Sequence, residues 1–403
     1  MDKKVASWCL YDFANSSYSA VIAAVIFPVY YTNVIVGNEY GHGDLWWGRA
    51  IALSMAIVAI TSPFLGGIAD FLRVRKGLLI VYTLLCVTSV ASFSFLQKDM
   101  VMTGFFLIVL ANIGLEGGIV FYNSFLTEIA RPSYHGRVSA WGFGIGYVGS
   151  IISLLIALLL IRHDYIMLVW PMVALFFLIF SLPAFIYLPA DGKAVGGIWG
   201  AAFSGFKHTL DKLKIMIKNK VQRRFLCAYL LYEDGVSTVI VFSSIFAATT
   251  LGFRAEELIL MYVLVQITAL SGSFLLARPI DLWGPKKVLI ISLMLWIAVS
   301  VGAYFVHSKI YFLLIASLAG FGLGSLQAAS RALYAKFIPI GQESGYFGVY
   351  SFVGKSSAII GPLIFGFLSS ELGSQRPAIL SVSLFFIAGL ILLRTVEVKR
   401  SYE

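Results

Sequence analysis

The chain of 403 residues is 59% hydrophobic and 12% charged, and its mean hydropathy is +0.89. Those values exclude a soluble domain with a water-facing surface and describe a polytopic membrane protein. The net charge of +10 is scattered between apolar runs rather than gathered into a groove-sized cluster, so nucleic acid is not an expected partner.

Twelve runs are long enough to cross the hydrocarbon core, which needs roughly 17 to 25 residues. They fall at 8–35, 46–69, 77–97, 101–127, 138–161, 166–188, 225–248, 256–278, 288–307, 310–334, 344–369 and 376–395. The fold class expected is therefore an all-α membrane protein with twelve transmembrane helices in two six-helix bundles, residues 1–188 and 225–403. Between them, residues 189–224 form the only long polar interval. There Trp199, Phe203, Phe206, Leu210, Leu213 and Ile217 recur at steps of four and three, with Lys207, Lys212, Lys214 and Lys218 elsewhere on the wheel. That pattern predicts a basic amphipathic helix, either lying on the membrane surface or packed against the ends of its own bundle.

Sorted by alternating side, the polar connections carry 23 Lys and Arg on the side of both termini and 6 on the other. The positive-inside rule then expects an integral membrane protein with cytoplasmic termini, in the inner membrane if the source is bacterial. Cys9, Cys86 and Cys227 lie in or beside apolar spans without metal-ligand spacing, and read as packing residues. No nucleophile elbow, zinc motif or phosphate-binding loop occurs. Gly142, Gly144 and Gly146 sit inside a span with no preceding strand, so neither an enzyme, a cofactor, a metal site nor ATP coupling is expected.

The halves repeat. Gly66-Gly67-Ile68-Ala69-Asp70-Phe71-Leu72-Arg73-Val74-Arg75-Lys76 follows the second run, and Ala277-Arg278-Pro279-Ile280-Asp281-Leu282-Trp283-Gly284-Pro285-Lys286-Lys287 follows the eighth. Asp70 and Asp281 stand 211 residues apart, as do Glu116 and Gln327. These duplicated loops resemble the conserved cytoplasmic loop of the major facilitator superfamily. The resemblance implies the major facilitator fold, and a gating role for Gly66, Asp70, Arg73, Arg75, Asp281, Gly284 and Lys286. The second copy fits the family's pattern better; in the first, Phe71 replaces a basic residue and Arg73 stands where glycine belongs.

Two further stretches, Tyr11-Asp12-Phe13-Ala14-Asn15-Ser16-Ser17-Tyr18 and Gln327-Ala328-Ala329-Ser330-Arg331 with Gly361-Pro362, resemble the vacuole-effluxer branch of that superfamily. That branch comprises autophagy-related amino-acid exporters and bacterial relatives. The resemblance implies a secondary transporter that exports amino acids or similar small polar solutes, with protons as a candidate coupling ion. A lipid or lysolipid translocator and a transport-inactive receptor or scaffold of the same fold are the alternatives. The expected partners are a small-molecule substrate, protons and membrane lipids, and the expected state is a monomer.

Polar groups inside spans cost several kcal/mol against lipid and should face the bundle interior or a wet cavity. Asp12, Asn15, Ser16 and Ser19 share one face of the first span. They read either as a cavity wall or as a helix start with Asp12 capping or pairing. Asn112, Glu116 and Asn123 form a stripe in the fourth, where Glu116 is either a proton-coupling or a structural carboxylate.

Asp234 in the seventh span and Lys355 in the eleventh lie at matched depth. A buried ammonium needs an acid, so Lys355 is expected to pair with Asp234 first and Glu116 second, as a solute site or as a static ion pair. Gln327 and Arg331 share a face of the tenth, Arg331 as a gate latch or a substrate ligand. Gly142, Gly146 and Gly149 predict a close helix approach, and Pro362 predicts a kink. Tyr11, Tyr18, Tyr232 and Tyr350 are candidate cavity-lining aromatics.

Overall fold

A computed structural model describes residues 2–72, 74–130, 135–191, 197–338 and 343–397. The described residues form helices and no strand. Twelve of these helices are long and apolar enough to cross a bilayer, in agreement with the sequence. We number them as spans 1 (Lys3–Val36), 2 (Glu39–Leu65), 3 (Arg75–Phe95), 4 (Val101–Ser124), 5 (Trp141–Arg162), 6 (Ile166–Tyr187), 7 (Lys220–Leu251), 8 (Ala255–Leu275), 9 (Pro285–Phe305), 10 (Lys309–Ala335), 11 (Gly348–Leu372) and 12 (Gln375–Arg394). Helices are what such sequences must form, because hydrocarbon offers no partner for an unpaired peptide group.

The chain divides into two compact units. One comprises Met1–Asn38, Arg49–Lys207 and Arg254–Ile259; the other comprises Glu39–Gly48, His208–Phe253 and Leu260–Glu403. Within the first, span 1 packs on spans 5 and 6, and span 3 on spans 4 and 6. Within the second, span 7 packs on spans 11 and 12, and span 9 on spans 10 and 12. The same pairing twice over is the three-dimensional form of the repeat read in the sequence.

The small-residue seam of span 5 does what its composition predicts. A Cβ at Gly142 would meet Trp8 and Asp12 at 2.7 Å, one at Gly146 would meet Ser16 Oγ at 2.9 Å, and one at Gly149 would strike the Phe13 carbonyl. Span 1 can lie this close to span 5 only because those side chains are missing.

The polar interval contains a helix, Ile198–Lys218. Its predicted apolar face is not uniformly covered. Trp199 is 79% and Phe203 63% exposed, whereas among the described residues of the helix Ala202 and Met216 are the buried ones. Phe206 stacks on Phe64 with centroids 4.3 Å apart, and Met216 Sδ accepts from the Tyr334 hydroxyl at 3.4 Å. Phe206 and Met216 thus anchor this helix, while aromatic surface at Trp199 and Phe203 stays exposed.

Candidate functional site

Span 11 is two helices. The first, Glu343–Ser356, stops three residues short of the second, Ile360–Leu372. Pro362 explains the break, since its ring clashes with the carbonyl four residues back and it has no N–H to give. A helix that starts in mid-span has first-turn N–H groups without intrahelical partners, and span 7 supplies the acceptor. The fully buried Asp234 takes the Gly361 N–H on Oδ1 at 2.9 Å. Its Oδ2 has no hydrogen-bond partner among the described residues. Gly361 is small because it must be: a Cβ there would overlap Thr238 Oγ1 and lie 2.7 Å from Asp234 Oδ1.

This arrangement corrects the expected Asp234 and Lys355 pair. Among the described residues Asp234 makes no ion pair, and its carboxylate accepts one hydrogen bond, from a peptide N–H. Matched depth was the basis of the pairing. The kink then brought the start of a new helix to the carboxylate, and five residues separate Lys355 from Gly361 along span 11. Lys355 itself is half-buried at the end of the first half-helix.

The other polar positions fall into local clusters. On span 1, Asn15 is 6% exposed and donates its amide to Asp12 Oδ1 at 3.3 Å, while Ser16 Oγ donates to the Asp12 carbonyl at 2.7 Å. Asp12 therefore faces the span 5 seam. Asn112 is buried and donates to Ser54 Oγ at 2.6 Å, tying span 4 to span 2. Glu116 is half-buried, whereas Asn123 is exposed where span 4 ends, so the predicted stripe runs from interior to surface. Gln327 and Arg331 are exposed on span 10.

The first helix of each repeat carries a tyrosine followed by an acid, Tyr11-Asp12 and Tyr232-Glu233. Each tyrosine is fully buried and hydrogen-bonded at 2.8 Å to a hydroxyl of its own bundle, Tyr11 to Thr83 and Tyr232 to Ser330. Tyr18 is likewise buried, and Tyr350 stacks on Tyr229 at 4.3 Å. Tyr11, Tyr18 and Tyr232 thus pack inside their own bundles, and Tyr350 is half-buried.

Of the gating residues, the backbones of Gly66 and Asp70 are helical, as is that of Asp281, which belongs to the short helix Ala277–Trp283. Their side chains, and Arg73, lie outside the described residues. Arg75 pairs with Glu128 at 3.6 Å, both partly exposed. Gly284 has φ +85°, which a side chain would strain, and it lets Pro285 open span 9.

The lysine after each loop has the same job. Lys76 Nζ donates to the carbonyls of Ile186 and Leu188 at 3.2 and 3.1 Å, and Lys286 Nζ donates to those of Arg394 and Val396 at 2.9 and 2.6 Å. In both repeats a cation satisfies the open carbonyl end of the sixth helix, where the helix dipole also favours it. Lys286 is thereby engaged within its own bundle.

One cluster escaped the sequence reading. Asp44 is fully buried in the first turn of span 2, and its Oδ2 accepts from Ser369 Oγ at 2.5 Å and from Gln375 Nε2 at 2.7 Å. Gln375 Oε1 in turn accepts from Thr250 Oγ1 at 2.7 Å. Trp47 Nε1 adds a bond to the Val241 carbonyl at 3.3 Å. Gly41, at φ +74°, fits against the Ser369 carbonyl, where a Cβ would come within 2.5 Å. The spacing of Gly41, Gly43 and Gly48 around Asp44 was the available signal.

Residues 49–403 match the model of a family described as "Vacuole effluxer Atg22 like". The chain belongs to this family. Among curated proteins it is similar to an MFS-type transporter, YxiO, of Bacillus subtilis, at 28% identity over 100% of this chain and 96% of that protein. It is also similar to autophagy-related protein 22-1 of Aspergillus fumigatus, at 26% identity over 66% of this chain and 48% of that protein, so the chain spans about half that relative's length.

Among solved structures, a nucleoside transporter, NupG, superposes with a TM-score of 0.69 at 13% identity, covering 100% of both chains. The human organic anion transporter MFSD10 does so at 0.66 and 16%, covering 97% and 99%. Identities this low speak for the fold alone. The protein is an integral membrane protein and a secondary transporter of the major facilitator type, a family that is not one of enzymes.

Proposed function

We propose that this transporter exports small polar solutes, amino acids or similar, by alternating access, with protons as the coupling ion and both termini in the cytoplasm. The observation that carries the reading is the set of carboxylates on the opening helix of each repeat. Asp12 lies on span 1, and Glu233 and Asp234 lie on span 7. Asp234 is wholly buried with a free oxygen among the described residues. Carboxylates inside spans are costly, and in transporters they mark solute or proton pathways. The family's description as an effluxer supports the direction, and the 23 to 6 distribution of Lys and Arg supports the orientation.

The test is counterflow into liposomes holding the purified protein, with a panel of labelled amino acids at two pH gradients. Uptake of a subset of the panel that responds to the gradient is expected. Flat signals across the panel would overturn the reading in favour of a lipid substrate.

A further inference from the structure

The helix Ile198–Lys218 lies outside the twelve spans, so the bilayer core does not account for the aromatic surface it leaves exposed. Its depth is fixed by what holds it. Phe206 stacks on Phe64, the next-to-last residue of span 2, and Met216 meets the hydroxyl of Tyr334, the next-to-last residue of span 10. A single residue, Asn219, separates the helix from span 7, and its side chain accepts from the N–H groups of Val221 and Gln222 at 3.0 and 3.3 Å. All three attachments are at the level where spans leave the hydrocarbon. They are also on the side of the chain that carries 23 of the Lys and Arg.

At 100° per residue the helix has three distinct strips. Ala202, Met216 and Phe206, which are buried or ring-stacked, fall within an arc of about 80°. Next to it, within about 40° of one another, come Trp199, Phe203 and Ile217, all exposed. Lys214, Lys207 and Lys218 follow in the next arc of about 40°, exposed as well. Ser204, His208 and Asp211, exposed, continue away from the apolar strip; Ile215 interrupts this polar stretch.

The lysines are available. Among the described residues Lys207 and Lys218 have no hydrogen bond or ion pair, and Lys214 meets Asp211 only at 3.8 Å, with both side chains mostly exposed. Lys212, on the covered side, is placed over the Tyr346 ring instead. The helix therefore presents an apolar edge bordered by uncompensated positive charge, at bilayer-surface depth.

We infer that this helix is a binding surface for anionic phospholipid of the surrounding bilayer, with Trp199, Phe203 and Ile217 set among the upper acyl chains and Lys207, Lys214 and Lys218 meeting the phosphodiesters. An interfacial helix takes this form, with its apolar edge a few ångströms below the headgroups and its lysines extended to them. Tryptophan is the side chain that most favours that boundary. A protein partner fits less well, because a strip one helix edge wide falls short of the roughly 800 Å² per partner that a stable interface needs. The inference requires only that the chain is embedded in a membrane, and is independent of cargo and coupling ion.

The experiment uses the full chain in nanodiscs of phosphatidylcholine, with or without about one-third phosphatidylglycerol. Amide exchange across Ile198–Lys218 should slow when phosphatidylglycerol is present and recover in high salt, which screens the attraction. Replacing the three lysines together, Lys207→Gln, Lys214→Gln and Lys218→Gln, should remove the phosphatidylglycerol effect, each lysine contributing about fivefold to lipid affinity. The corresponding Lys→Arg set should retain it. All three side chains are exposed, so neither set disturbs the packed face.

Orientation is read separately, with single nitroxide labels at Trp199→Cys, Phe203→Cys, His208→Cys and Asp211→Cys in a chain carrying Cys227→Ser. Labels at 199 and 203 should be relaxed more by oxygen than by a water-soluble nickel complex, and those at 208 and 211 the reverse. Exchange that ignores phosphatidylglycerol, or that slows equally in the Lys→Gln set, would overturn the proposal. So would a label at 199 as open to nickel as one at 208, which would leave that edge in water for some other occupant.

Discussion

At the scale of single residues, Asp234 separates what burial could foretell from what it could not. An acid ten residues into an apolar run had to be interior, and it is. Its partner was not legible, because a mid-span helix start offers N–H groups that look like any others in a sequence. The geometry distinguishes two substitutions. Asp234→Asn keeps an acceptor for Gly361 N–H and removes the charge, so it should purify with a Tm close to the parent while counterflow falls at least tenfold. Asp234→Ala should also lower stability by about 1 to 3 kcal/mol, the cost of a buried donor left unpaired.

Gly361→Ala forces a methyl into Thr238 and should cost about 1 to 3 kcal/mol by overpacking, measured by denaturation in mild detergent. Asp44 was passed over because an acid at the start of a span reads as a surface or capping residue. Asp44→Ala should lower stability by about 3 kcal/mol, and Asp44→Ala with Gln375→Ala should cost less than the two added, since they share one bond.

At the scale of elements, the apolar runs predicted the spans well because length and hydropathy leave little choice in a bilayer. The kink at Pro362 was legible for the same local reason. What the sequence could not supply was which carbonyls the loop lysines would seek. Lys76 and Lys286 were read through their loops, one inside the gating motif, yet each reaches a helix end more than a hundred residues away. Lys76→Met and Lys286→Met should therefore loosen the last turns of spans 6 and 12 respectively. Hydrogen exchange should show faster amide exchange confined to those turns, with a loss of about 1 kcal/mol each. Acceleration spread over the whole bundle would instead assign the lysines a larger structural part.

At the scale of the whole molecule, the duplication was legible from two loops 211 residues apart and is repeated in the pairing of spans inside each unit. The transport path was less legible, because a path is a property of how side chains from many spans meet. Lys355 remains a candidate for handling cargo without Asp234 as its companion. Lys355→Gln should abolish counterflow with little change in Tm; transport that survives would remove it from the path.

The two compact units do not coincide with the two halves of the chain. Residues 39–48 belong with the second unit and residues 254–259 with the first. Each repeat thus lends a short piece of itself to the other's fold. Severed after the sixth span and made as separate polypeptides, neither half would own every residue of its compact unit. Co-expressed halves should accumulate as a stable pair, whereas either half made alone should be rapidly degraded.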